Sequence, residues 1–174
     1  VLPALSFVPR DKIEVDLGIM VDRFMETSVP GIFAAGDVAE WIDVARNTRW
    51  VNAIWPEAVT QGRIAGTNMA GRAVAYQGSL SRNVIRIFGL DVMAGGLVKP
   101  PSNDRYTVVS SMDRRRKTYR KLVFSDDRLV GMVMVNGVEQ GGILLSLMHG
   151  QIPVNVPHEI LLQTSFNFIQ LMRS

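Results

Sequence analysis

The chain has 174 residues, 47% hydrophobic and 20% charged, which is length for one ordinary domain or one and a half small ones, with enough apolar content to bury a core. It has no cysteine and two histidines, His149 and His158, which excludes disulfides, thiolate nucleophiles, iron–sulfur ligation and Cys/His zinc sites. A net charge of +3, from 19 basic and 16 acidic residues, is too small an excess to call for a nucleic-acid partner. Chemistry here must use a bound cofactor, carboxylates or backbone groups, and no metal site is expected.

The chain opens on Val1-Leu2-Pro3-Ala4-Leu5, with no initiator Met, charged n-region or small-residue cleavage site. It is expected to be a segment of something longer, with processing of the terminus as the alternative. Residues 1–14 read as an irregular lead-in. Gly18-Ile19-Met20-Val21-Asp22 is a short strand candidate. Gly31-Ile32-Phe33-Ala34-Ala35-Gly36-Asp37 is an apolar run bounded by Pro-Gly and Gly-Asp, the pattern of a parallel strand buried on both faces. Residues 38–54 break that pattern and are expected to form a loop carrying Trp41 and Trp50. Pro56 suits a first helical position and Glu57 adds negative charge to the first turn, so a helix is predicted from Pro56 to about Arg72. Ala58, Gly62, Gly66 and Ala70 recur every fourth residue on one face of it. Interior glycines cost a helix about 1 kcal/mol each relative to alanine, so close approach to a sheet or a ligand is expected there.

After Gly78 the pattern turns to β. Strands are predicted over 84–88, 91–98, 106–112, 118–125 and 129–135, with hairpin turns at 113–117 and 125–128. Two helices are predicted to close the chain, over 139–149 and 157–172. The fold class is α+β: the end of an α/β domain over 1–78, followed by a small α+β module over 79–174 with an antiparallel sheet and two helices. The first part supplies about two strands and one helix, too little to flank a buried parallel strand, so its remaining strands must come from elsewhere. The longest apolar runs, such as 141–145, fall far short of the ~18 residues a membrane span needs. No membrane partner is expected, and the lack of disulfides suits the cytoplasm.

In an open α/β sheet, ligands bind beyond the carboxyl ends of the strands, where Gly36 and Asp37 are predicted to sit. Gly36 lets a ligand approach the backbone, and the Asp37 carboxylate can accept hydrogen bonds from sugar-like hydroxyls. Taken alone, the Gly-Asp pair favours a turn or helix-cap role. The longer strings change that reading. Residues 18–22, Thr27-Ser28-Val29-Pro30-Gly31-Ile32-Phe33-Ala34-Ala35-Gly36-Asp37-Val38-Ala39 and Trp55-Pro56-Glu57-Ala58-Val59-Thr60-Gln61-Gly62-Arg63 together resemble the second FAD-binding segment of the FAD-dependent pyridine nucleotide-disulfide oxidoreductases, nearest the NADH oxidase, coenzyme A-disulfide reductase and nitrite reductase-like branch. Residues 84–98, with Phe88-Gly89-Leu90-Asp91-Val92, resemble the start of that family's C-terminal dimerisation domain.

The resemblance implies FAD as cofactor, NAD(P)H as co-substrate, hydride transfer from nicotinamide to flavin and on to an acceptor, and a homodimer. It implies that Asp37 hydrogen-bonds the ribityl chain of FAD, beside the cofactor-approach position Gly36, and that Trp55, Pro56, Glu57 and Ala58 begin the helix aimed at the flavin pyrimidine edge. Backbone N–H groups and the positive dipole end there would stabilise negative charge on the reduced flavin. Trp55 fits a core or interface aromatic as well as a flavin contact. No Gly-x-Gly-x-x-Gly follows a strand, so the FAD adenosine-diphosphate site and the NAD domain are expected upstream, and this chain alone is expected to be inactive. The run Arg114-Arg115-Arg116-Lys117 reads as a solvated hairpin tip, His158 as a surface residue, and His149 as a helix-ending cation. Apolar residues surround the last predicted helix, including Phe168, Ile169, Leu171 and Met172; core packing explains part and a subunit interface the surplus. The competing reading is a non-catalytic dimerisation or interaction module whose Asp37 and Trp55 touch no flavin.

Overall fold

The computed structural model describes residues 2–163 and 166. The fold is mixed α+β, divided into two compact units, Val1–Ser81 and Arg82–Ser174.

In the first unit, β1 (Ile19–Met20) pairs in parallel with β2 (Ala39–Asp43), which pairs antiparallel with β3 (Thr48–Trp50). The expected loop over 38–54 is therefore a hairpin, with Trp41 directly opposite Trp50. Its turn is built by Asp43, whose Oδ1 accepts the Ala45 and Arg46 amides at 2.9 and 2.8 Å, while Asn47 takes the left-handed conformation at φ 52°. Arg49 stacks over Trp41 and donates from Nη1 to the Val21 and Glu40 carbonyls at 3.1 and 3.2 Å, tying the hairpin to the residue after β1. The buried acid Glu40 accepts the Gly18 amide at 2.9 Å, and Val8, Ile19, Val21, Met25 and Ala39 form the apolar core.

The strand expected over 31–37 is not there. Phe33 makes one isolated bridge to Glu26, and Gly36–Val38 is a single 3-10 turn. The reason is where the backbone groups go: Thr27 N–H donates to the Ile32 carbonyl and Ala34 N–H to the Met25 carbonyl, so the segment folds back on residues 25–27. Ile32, expected in a buried strand, is 44% exposed.

Helix α1 (Trp55–Met69) starts at the predicted place and ends before the left-handed Gly71. Its buried residues are Glu57, Gln61 and Ala65, spaced by four. The expected packing of Gly62 and Gly66 against the sheet is not found in this unit: a Cβ at either would meet no atom of the chain within 4 Å.

The second unit is a sheet in the order β4-β5-β8-β7-β6, from β4 (Arg82–Ile87), β5 (Leu90–Gly96), β6 (Tyr106–Asp113), β7 (Thr118–Ser125) and β8 (Arg128–Val135). Every pairing is antiparallel. Asp126 and Asp127 make the two-residue turn between β7 and β8, and residues 114–117 the loop between β6 and β7. Central strands β7 and β8 bury Leu122, Phe124, Met132 and Met134 completely, together with Leu144 and Met148 of α2 (Gly141–His149). Gly131 is required where it stands, since a Cβ there would collide with the Leu97 carbonyl.

Beyond α2, residues His158–Leu162 form a short 3-10 helix where an α-helix was expected, and residues 167–174, on which the interface reading partly rests, lie outside the described residues. His158 is no simple surface residue: it is half-buried, its ring stacked on Phe124 at 3.6 Å between centroids. Arg120, 6% exposed, ties the unit together by donating to Gln140 Oε1 and to the Gly137, Leu161 and Gln163 carbonyls at 2.9–3.1 Å. Its burial lowers the guanidinium pKa from the ordinary value, and the Glu139 charge opposes that. Among the described residues no helix is long and apolar enough to cross a membrane.

Candidate functional site

The predicted site residues come from two elements of the first unit, the Gly36–Val38 turn and the first turn of α1. The structure brings these together. A Cβ on Gly36 would lie 3.4 Å from the Ala58 Cβ, so the turn rests on the first turn of the helix. Gly36 is at φ +80°, a left-handed conformation that glycine adopts without strain, and this directs the chain into the 3-10 turn carrying Asp37. Asp37 itself is exposed.

At the helix start, Trp55 is 81% exposed and Pro56 is also exposed. Trp55 therefore packs in no core of this unit. No side chain caps this end. The donors are fewer than the sequence reading expects: Pro56 has no N–H, and the Glu57 and Ala58 amides both donate to the Ile54 carbonyl at 3.1 Å. What the helix start presents is chiefly its dipole and the Trp55 backbone amide.

Glu57 turns inward. It is 3% exposed, and its Oε2 accepts a short hydrogen bond from the Tyr76 hydroxyl. Burial, then the hydrogen bond to Glu57, push the Tyr76 pKa above its ordinary value, so the phenol stays protonated and donating. One turn further along, Gln61 is 2% exposed, and its Oε1 accepts the Gly36 amide at 2.8 Å. Gln61 and Tyr76 are residues the sequence reading missed. Gln61 had a signal, since it lies four residues after Glu57 on the same helix face; Tyr76 had none. A hollow lined by Phe24, Glu26, Phe33, Asn68, Gly71 and Ala73 lies toward the other end of α1, and neither Asp37 nor Trp55 lines it.

Two family descriptions match this chain: "Pyridine nucleotide-disulphide oxidoreductase" over residues 3–62 and "Rubredoxin NAD+ reductase C-terminal domain" over residues 82–152. Over these two segments the chain is similar to the pyridine nucleotide-disulphide oxidoreductases. Among curated relatives, the NADH-dependent phenylglyoxylate dehydrogenase subunit epsilon of Aromatoleum evansii is 31% identical over 85% of this chain and 35% of its own length. The assimilatory nitrate reductase electron transfer subunit of Bacillus subtilis is 27% identical over 90% of this chain and 19% of its own length. The chain thus spans between a fifth and about a third of these relatives. The crystal structure of NADH:rubredoxin oxidoreductase from Clostridium acetobutylicum superposes with a TM-score of 0.66 at 23% identity, covering 90% of this chain and 39% of that one, a likeness of fold.

The family is FAD-dependent, and the residues present fit that group. An exposed carboxylate suits hydroxyl donors of a sugar-like chain, and an uncapped helix start beside it suits partial negative charge.

Proposed function

We propose that this chain is the C-terminal portion of a FAD-dependent NAD(P)H oxidoreductase, ending its FAD-binding domain and continuing into a dimerisation domain. The observation that carries the reading is the seam between the Gly36–Val38 turn and α1, which sets the exposed Asp37 turn against an uncapped helix start. In this reading the Asp37 carboxylate accepts hydrogen bonds from the ribityl hydroxyls of FAD, and Gly36 allows close approach. The Trp55 amide and the dipole of α1 favour negative charge on the pyrimidine edge, and the exposed indole shields that edge from water. Bound FAD supplies the hydride-accepting and electron-passing chemistry. The adenosine-diphosphate part of FAD and the nicotinamide belong to the remainder of a longer protein. A homodimer is part of the proposal, supported by the exposed apolar side chains of β4 and its turn, where Val84 is 62% and Phe88 97% exposed.

Two measurements test this. The natural gene product should be about two to three times the present length, enough for the missing domains. In that longer protein Asp37→Ala should lower the flavin retained through gel filtration; full retention would remove Asp37 from the site. A natural product of the present length that never turns yellow with FAD would leave the interaction-module reading in its place.

A further inference from the structure

Gly36 begins the turn that carries Asp37, and no side chain caps that turn from its own N-cap residue. Its amide is held from α1 instead, by Gln61 Oε1 at 2.8 Å. Because an amide N–H needs an acceptor, this bond fixes which way the Gln61 carboxamide points. Its NH2 group is then turned away from Gly36, and Gln61 acts on the Tyr76 phenol so as to favour its ionised form, against the larger effect of burial. The one phenolic proton of Tyr76 goes on to Glu57 Oε2. On one face of α1, therefore, the Gly36 amide donates to Gln61 and, one turn earlier, the Tyr76 hydroxyl donates to the Glu57 carboxylate. Gln61, Tyr76 and Glu57 are each no more than 5% exposed, so water does not readily substitute for a lost partner. Tyr76 is itself pinned, its amide donating to the Arg23 carbonyl at 2.7 Å.

We infer that Gln61 is a positioning residue for cofactor binding: it holds the Gly36 amide, and through it the Asp37 carboxylate, in register with the first turn of α1. The inference rests on the FAD reading above. Gln61 touches no ligand in this account, and its effect travels only through the turn.

The test uses the longer protein in its flavin-free and flavin-loaded forms, with Gln61→Met, Asp37→Asn and the double variant. Without flavin, Gln61→Met should speed hydrogen exchange at the Gly36 amide while exchange in the second unit stays unchanged. With flavin, each single variant should weaken FAD binding about tenfold, the loss of one hydrogen bond. The double variant should bind no more weakly than the weaker single, because both act on one contact. Should Gln61→Met lose its fold by circular dichroism, Gln61→Asn, which keeps the amide on a stem one carbon shorter, takes its place with the same expected changes. Unchanged exchange at Gly36, or losses that multiply in the double variant, would overturn the role of Gln61 while an Asp37→Asn effect left the flavin site standing. An Asp37→Asn protein that binds FAD like the wild type would overturn the site reading and the positioning role together.

Discussion

The two units reach stability by different means. In Arg82–Ser174 one five-stranded antiparallel sheet uses nearly every backbone group of its central strands, and the core is a block of fully buried apolar side chains, Leu122, Phe124, Met132 and Met134 among them. In Val1–Ser81 the strands are short, and much of the interior is fastened by buried polar side chains: Glu40 to the Gly18 amide, Asp43 to its own turn and Asn52, Gln61 to Gly36, Tyr76 to Glu57. A sheet in which most neighbouring strands are also consecutive in the chain can be read as a set of hairpins. A unit held by side-chain ties has its geometry set by a few specific residues, and that is where the candidate site lies.

If this contrast is right, the largest loss comes from the apolar block. Phe124→Ala should cost about 3–5 kcal/mol in denaturant unfolding, since the ring is fully buried and stacked on His158. Arg120→Met should follow at about 3 kcal/mol, leaving the Gly137, Leu161 and Gln163 carbonyls and Gln140 without their shared donor. A small effect there would mean that the sheet alone organises the second unit. In the first unit Tyr76→Phe should cost about 1–3 kcal/mol, because it removes the hydrogen bond that the phenol gives the buried Glu57 carboxylate. The same variant has a pH signature. The folded-state pKa of Tyr76 is raised, so its contribution is fully present below the unfolded value of about 10 and is lost as pH rises beyond it. Tyr76→Phe should therefore flatten the alkaline limb of the stability profile. Gly36→Ala, at φ +80°, should cost about 1 kcal/mol. Trp55→Ala, removing a side chain that is 81% exposed, should change stability by no more than about 0.5 kcal/mol while still weakening FAD binding.

The second unit was legible because alternation and turn chemistry are local. Thr118–Ser125 is both the predicted and the observed strand, and Asp126-Asp127 sits at the predicted turn. The apolar run over 31–37 misled because it reported burial without saying what pairs with the backbone, and its neighbours at 25–27 took those hydrogen bonds. The acids of Ala39–Asp43 concealed a strand whose charged members are satisfied by distant amides and turns. At the site, the sequence pointed to Gly36, Asp37 and the helix start at Trp55 to Ala58, but did not show that the Glu57 carboxylate in that first turn packs inward on Tyr76.

By itself the sequence determined the class of fold, the strands and turns of the second unit, the place where α1 begins and the family resemblance, since each of these rests on local pattern or on contiguous motifs. Only the tertiary structure decided that Gln61 holds Gly36, that Tyr76 claims Glu57 and that the glycine stripe of α1 faces open space. The physical reason is that a buried polar group must find a partner, and which partner it finds depends on residues brought together by folding from 19 and 25 positions away.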